Sequence, residues 1–173
     1  MTLNDAMLAL SRGDKTAFDT IYQATEKTVY YIALSVLKER SLAEDVMQNT
    51  YLAVLRHANL YKPDTNPRAW IARIAQNEAY TMYKSRSKEW VCEEMSILSE
   101  ETDSVNEYGL LIDMARKLLP EDEFAILMLV TADGYKRREI GEMFGMPTAT
   151  VTWKYNTTLA KLKDALSARK ETL

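Results

Sequence analysis

One cysteine, Cys92, and one histidine, His57, are all the chain has of either residue. A lone cysteine excludes an internal disulfide. A structural zinc site takes four ligands, mostly Cys and His, and has nothing here to build on. No apolar run approaches the roughly 20 residues that cross a bilayer. Met1 to Ala6 also lack the basic start and continuous apolar stretch of a secretory signal. A cytoplasmic protein, not membrane-embedded, is expected. There is no glycine-rich phosphate loop, no Cys/His dyad and no close set of metal ligands, so no enzyme, metal or cofactor is expected. Glycine (five) and proline (four) are scarce as well. Strand-like alternation persists nowhere, which removes the basis for a sheet.

A basic surplus is missing too, since the net charge is −3. The distribution matters more than the total. Residues 91–104 hold five acids and no base, whereas 1–90 hold 12 bases against 10 acids and 105–173 hold 10 of each. The excess acidity is confined to one short stretch. Nucleic-acid binding depends on local field and stays open.

What is present is helical periodicity, and the pattern predicts an all-α chain of two small helical domains joined by a flexible linker. Residues 1–90 form the first. Phe18, Ile21, Val29, Ile32, Val36 and Leu37 recur at helical spacing, and Ser41-Leu42-Ala43-Glu44 reads as a capping box before Val46, Met47, Tyr51, Val54 and Leu55. Asn66-Pro67 supplies an N-cap and a first-turn proline for a helix with Trp70, Ile71, Ile74 and Ala75. Residues 91–104 are the acidic linker. In 105–173 periodicity returns at Leu110 to Leu118 and Phe124 to Met128, followed by a turn at Asp133-Gly134.

The end of the chain has the form of a helix-turn-helix. A short helix with Ile140 and Met143 inward is closed by Gly145, and a second begins near Thr148 and runs to about Ala168. Val151, Tyr155, Leu159, Leu162 and Leu166 fall on one stripe of it. In this motif the second helix enters the major groove with its N-terminal residues at base edges, although the same spacing occurs in proteins that never touch DNA. A second clue lies between Lys62 and Lys88. Lys62, Arg68, Arg73, Lys84, Arg86 and Lys88 oppose only Asp64 and Glu78, with Trp70, Tyr80 and Tyr83 interleaved. Cations that track phosphates beside rings that stack on bases describe a single-strand surface. For Trp70 taken alone, a place in the core is the better reading.

Both halves resemble one family in order: the extracytoplasmic-function sigma factors of the sigma-70 superfamily. Gly13 to Phe18 and Ala43 to Gln48 are similar to its opening and core-binding helices, and Arg68-Ala69-Trp70-Ile71-Ala72-Arg73 to its promoter-melting helix. Leu119-Pro120, Gly134-Tyr135, Glu139-Ile140, Thr150-Val151 and Ala160-Lys161-Leu162 keep its helix-turn-helix spacing without a gap.

The resemblance implies core RNA polymerase and promoter DNA as partners, with an anti-sigma factor as a further candidate. Asp45, Gln48, Asn49 and Thr50 would dock on the clamp helices of the polymerase's largest subunit, and the second domain would meet the flap. Lys62, Arg68, Trp70, Arg73, Asn77, Tyr80 and Lys84 would hold the minus-ten element as a separated strand. Arg137, Thr148, Thr150, Thr152, Trp153, Lys154 and Thr157 would face the minus-thirty-five element. The acidic linker takes the place of the segment that threads toward the active-site channel. Departures are visible. The family often has an acid at Asn49, an arginine at Gln76, an aspartate at Thr81 and a capping serine at Lys136. It favours Lys or Arg at Thr152, Lys154, Thr157, Leu159 and Ala160, and only Lys154 keeps the cation. A sigma-like regulator without promoter recognition is therefore the alternative. Trp153 would contact a thymine methyl or, the favoured expectation, pack against a neighbouring domain or a partner, burying itself against the first domain in a closed form of the free chain.

Overall fold

A computed structural model describes residues 1–63, 65–90 and 107–170. The acidic stretch 91–104, Asp64 and the Lys88 side chain lie outside the described residues. Eight α-helices and two short 3₁₀ turns, with no strand, account for the regular structure among them. Helices α1 (Leu3–Ser11), α2 (Phe18–Leu37), α3 (Arg40–His57) and α4 (Pro67–Trp90) make the N-terminal half. Helices α5 (Glu107–Leu118), α6 (Glu121–Thr131), α7 (Arg137–Phe144) and α8 (Thr148–Lys170) make the C-terminal half.

The helix ends show which local signals operate. Asn66 Oδ1 accepts the backbone N–H of Arg68 at 3.0 Å and of Ala69 at 3.2 Å, capping α4 ahead of Pro67. The box at Ser41 to Glu44 does not form. Helix α3 already starts at Arg40 with Glu39 as its N-cap, and Ser41 donates its hydroxyl to Glu39 instead. Between α7 and α8 the chain turns on Gly145, whose φ of 64° is left-handed and suits glycine. Gly141 lies so near the start of α8 that an added Cβ would stand 2.6 Å from the Met146 carbonyl oxygen. The missing side chain permits this close approach of α7 to the start of α8.

The two halves share their cores. Val29, Ile32, Ile71 and Ala75 of the N-terminal half lie in one apolar cluster with Ile126, Leu129, Ile140 and Val151 of the other. A second cluster joins Leu34, Leu37, Val46 and Ala79 to Leu119, Phe124 and Met128. Apolar burial at about 25 cal/mol per Å² makes such contacts the main source of cohesion. The halves are thus closed on each other, but Trp153 has no part in it and stays 63% exposed. It sits two residues beyond Val151, which is fully buried, and two helical steps carry a side chain about 200° round the axis. Leu159 and Leu166 also depart from the expected buried stripe. They flank it and line a groove of about 550 Å³ with Leu111, Met114 and Leu127.

Candidate nucleic-acid interface

Helix α4 carries the basic-aromatic cluster, and the fold splits it. Arg73, Asn77, Tyr80 and Lys84 are exposed and follow one another at three- and four-residue steps, so they share a stripe. Lys62 is exposed on the loop before the helix. Trp70 begins the same stripe three residues before Arg73, but its ring is half-buried, edge-on to the Tyr61 ring with centroids 5.7 Å apart and packed against the core.

Arg68 is likewise not free. Its guanidinium lies 4.8 Å over the Tyr135 ring, donates to the Ala24 carbonyl at 3.0 Å and bonds the Tyr135 hydroxyl. Thr28 completes the set, with its Oγ1 at 2.7 Å from the Tyr135 hydroxyl and 2.6 Å from Asp133 Oδ2. Thr28 has one hydroxyl proton, and the carboxylate can only accept it. Tyr135 therefore donates to Thr28 and accepts from Arg68. A continuous chain runs from guanidinium through phenol and hydroxyl to carboxylate, across the boundary between the halves. Burial pushes the Tyr135 pKa up, which keeps the phenol neutral for that role. Tyr80 makes a second cross-contact, donating its hydroxyl to Glu121 Oε1 at 2.5 Å. The bond to that carboxylate, followed by burial, pushes its pKa up to about 12. Asn66 Nδ2 reaches Glu142 at 2.8 Å. Sequence reading missed Thr28, Glu121, Asp133 and Tyr135 as partners of this surface, because contacts more than 40 residues apart leave no local pattern.

The second helix of the helix-turn-helix is treated differently. Thr148, Trp153 and Asn156 are exposed, while Thr150, Thr152 and Thr157 are half-buried. Thr152 returns its hydroxyl to the Thr148 carbonyl at 2.9 Å. Lys154, the one cation of this helix expected to face DNA, is instead ion-paired with Asp122 of α6. Below it, Glu123 is buried and receives Lys161 at 2.8 Å on both oxygens, which ties α8 to α6. Arg137 is exposed at the start of α7, with its guanidinium 5.0 Å over the Tyr155 ring.

On α3, Asp45, Gln48 and Asn49 are exposed on one face, but Thr50 is not available. It is fully buried and donates its hydroxyl to the Val46 carbonyl at 2.8 Å, because its position falls on the stripe of Val46 and Val54. The exposed face continues instead into Leu52 and Leu55, 49% and 37% exposed. Counting sevens from Asp45 would have found Leu52. Beside them α2 and α3 enclose a groove of about 830 Å³ lined by Tyr22, Tyr30, Tyr31, Met47 and Leu52. Among the described residues no group of three or more His, Cys, Asp or Glu is placed to hold a metal ion, and no helix is long and apolar enough to cross a membrane.

Comparison with known proteins gives a consistent picture. The family model described as sigma-70 region 2 matches residues 21–89. Over 162 residues the chain is 25% identical to the RNA polymerase sigma factor CarQ of Myxococcus xanthus, covering 89% of this chain and 91% of that protein. It is 25% identical over 165 residues to the ECF RNA polymerase sigma factor SigK of Mycobacterium sp. (strain JLS), covering 88% and 84%. Among solved structures, CnrH in complex with the cytosolic domain of CnrY matches with a TM-score of 0.70 at 18% identity, over 95% of this chain and 97% of that one. The sigma factor RpoE in complex with the anti-sigma factor NepR, from Bartonella quintana, matches with a TM-score of 0.66 at 19% identity, over 87% and 96%.

Proposed function

This chain belongs to the sigma-70 family as a factor of the extracytoplasmic-function type, and from that premise we propose that it binds core RNA polymerase and directs it to promoters. The observation that carries this reading is a pairing within one chain. Helix α4 holds an outward stripe of Arg73, Asn77 and Lys84, and α7–α8 form a helix-turn-helix. In this reading α3 presents Asp45, Gln48 and Asn49, with Leu52, to the clamp helices of the largest subunit, and the C-terminal half meets the flap. Arg73 and Asn77 meet the separated minus-ten strand, where unstacked bases are held by stacking and by cations on the phosphates. Arg68 and Tyr80 join them once the halves part. The chain itself does no chemistry and works in the cytoplasm, where its polymerase is. The structural match to a complex with an anti-sigma factor supports a partner of that kind.

Transcription in vitro with added core polymerase tests the proposal. Asp45→Arg should weaken core binding by at least tenfold without changing helicity. Arg73→Ala with Asn77→Ala should leave core binding and reduce strand opening in a permanganate footprint. A second reading, a regulator that binds polymerase without reading promoters, is favoured by the pairing of Lys154 with Asp122. It predicts core binding with no start-site-specific transcript from any template in a randomised promoter pool.

A further inference from the structure

The outward face of α8 consists of Ala149, Trp153, Asn156 and Ala160, all exposed, with Trp153 as its one large side chain. Among the described residues nothing covers this face, even with the halves closed. No carboxylate occurs from Met143 to Lys163, so the face meets an anion without repulsion. Arg137 and Arg138 stand exposed at the start of α7, the first over the Tyr155 ring and the second 4.0 Å from Glu142. An amphipathic partner helix would need apolar anchors at three- and four-residue steps. The neighbours of Trp153 at those steps are Ala149, Thr150, Asn156 and Thr157, which offer none. The larger apolar side chains, Leu159 and Leu166, turn toward the groove with α5 and α6. A single flat ring among short uncharged side chains is suited to apolar contact in a major groove, where the thymine C5-methyl is the apolar mark that tells T·A from the other pairs.

We propose that Trp153 is a specificity-determining residue that reads thymine methyl groups in the upstream promoter element. This inference rests on the sigma-factor reading above. The ring replaces the cation-mediated contacts that α8 has given up, so recognition by this helix depends more on base identity than on salt.

The test uses holoenzyme reconstituted from the full chain and core polymerase. Duplexes with a randomised upstream element are selected for open-complex formation, and each selected thymine is then replaced by deoxyuridine, which deletes only the methyl. Burying one methyl is worth about fourfold in affinity, so wild-type holoenzyme should lose about fourfold at the critical position. Trp153→Ala should bind the thymine duplex more weakly and show no loss with deoxyuridine. Indifference of the wild type to deoxyuridine, selection of an element without thymine, or equal sensitivity in Trp153→Ala would overturn the proposal while leaving the sigma-factor reading intact. Weakened core binding by Trp153→Ala would place the ring in a protein interface and overturn it as well. Failure to form any holoenzyme would refute the underlying reading and this inference with it.

Discussion

Two surfaces are proposed to meet promoter DNA, and the closed chain treats them in opposite ways. On α4, Arg68 and Tyr80 are bonded to the C-terminal half through Tyr135 and Glu121. On α8, no described residue covers the face around Trp153. The difference follows from which residues carry charge. A guanidinium or phenol at a boundary finds partners across it and is held there. Lys154 shows the same rule inside the C-terminal half, taken up by Asp122. An indole on the outer face of a helix has no partner to find. Occupied groups report on the separation of the halves, and the bare face does not.

The contrast is broken most strongly at Tyr135. Tyr135→Ala removes the middle of the Arg68–Tyr135–Thr28–Asp133 chain and a buried ring. We expect a stability loss of about 3–5 kcal/mol, as for other large buried aromatics. The urea midpoint should fall, the radius by solution scattering should rise, and binding to single-stranded minus-ten oligonucleotides should strengthen. Binding of the upstream duplex should be unaffected. Gly141→Ala attacks the other surface. Its Cβ would press on the Met146 carbonyl, costing about 1–3 kcal/mol and tilting α8. Upstream-element discrimination should decline while core binding holds, as measured by footprinting and pull-down.

The smallest effect is a pH dependence. The Tyr80 pKa is raised from the usual 10 to about 12, chiefly by its bond to Glu121, so its neutral form favours closure. That contribution is complete below pH 10 and is lost as pH rises from about 10 to 12. Burial lowers the Lys38 pKa at the same boundary, which acts in the opposite sense. Tyr80→Phe isolates the tyrosine share. Wild type should open on alkaline titration, read by scattering, more steeply than the variant.

What could be read from residues alone was what depends on near neighbours. Helical spacing, the Asn66-Pro67 start and the Gly145 turn all act within about four positions, and the structure bears them out. The same logic failed where a distant partner outbid a local one. Ser41 bonds Glu39 because α3 starts a turn early. Thr50 was assigned to the outer face but lies on the Val46–Val54 stripe. Lys154 and Arg68 were read as free cations, and each is taken by a residue more than 30 positions away. Trp153 was assigned to the boundary because of its size, although its angle from Val151 already pointed outward.

Lys38 ties the end of α2 to the other half of the chain. It ends α2 with φ at 59°, a left-handed turn that costs a side-chain-bearing residue roughly 1–2 kcal/mol. Contacts with the far half offset that cost. Its ammonium donates to the Leu119 carbonyl at 3.2 Å and lies 5.1 Å over the Phe124 ring, while its own carbonyl accepts from Arg116. When the halves part, the turn keeps its strain and loses all three contacts. The last turn of α2 should then fray in step with each separation. The Lys38 amide, bonded to the Leu34 carbonyl while closed, should lose its protection from hydrogen exchange with each separation.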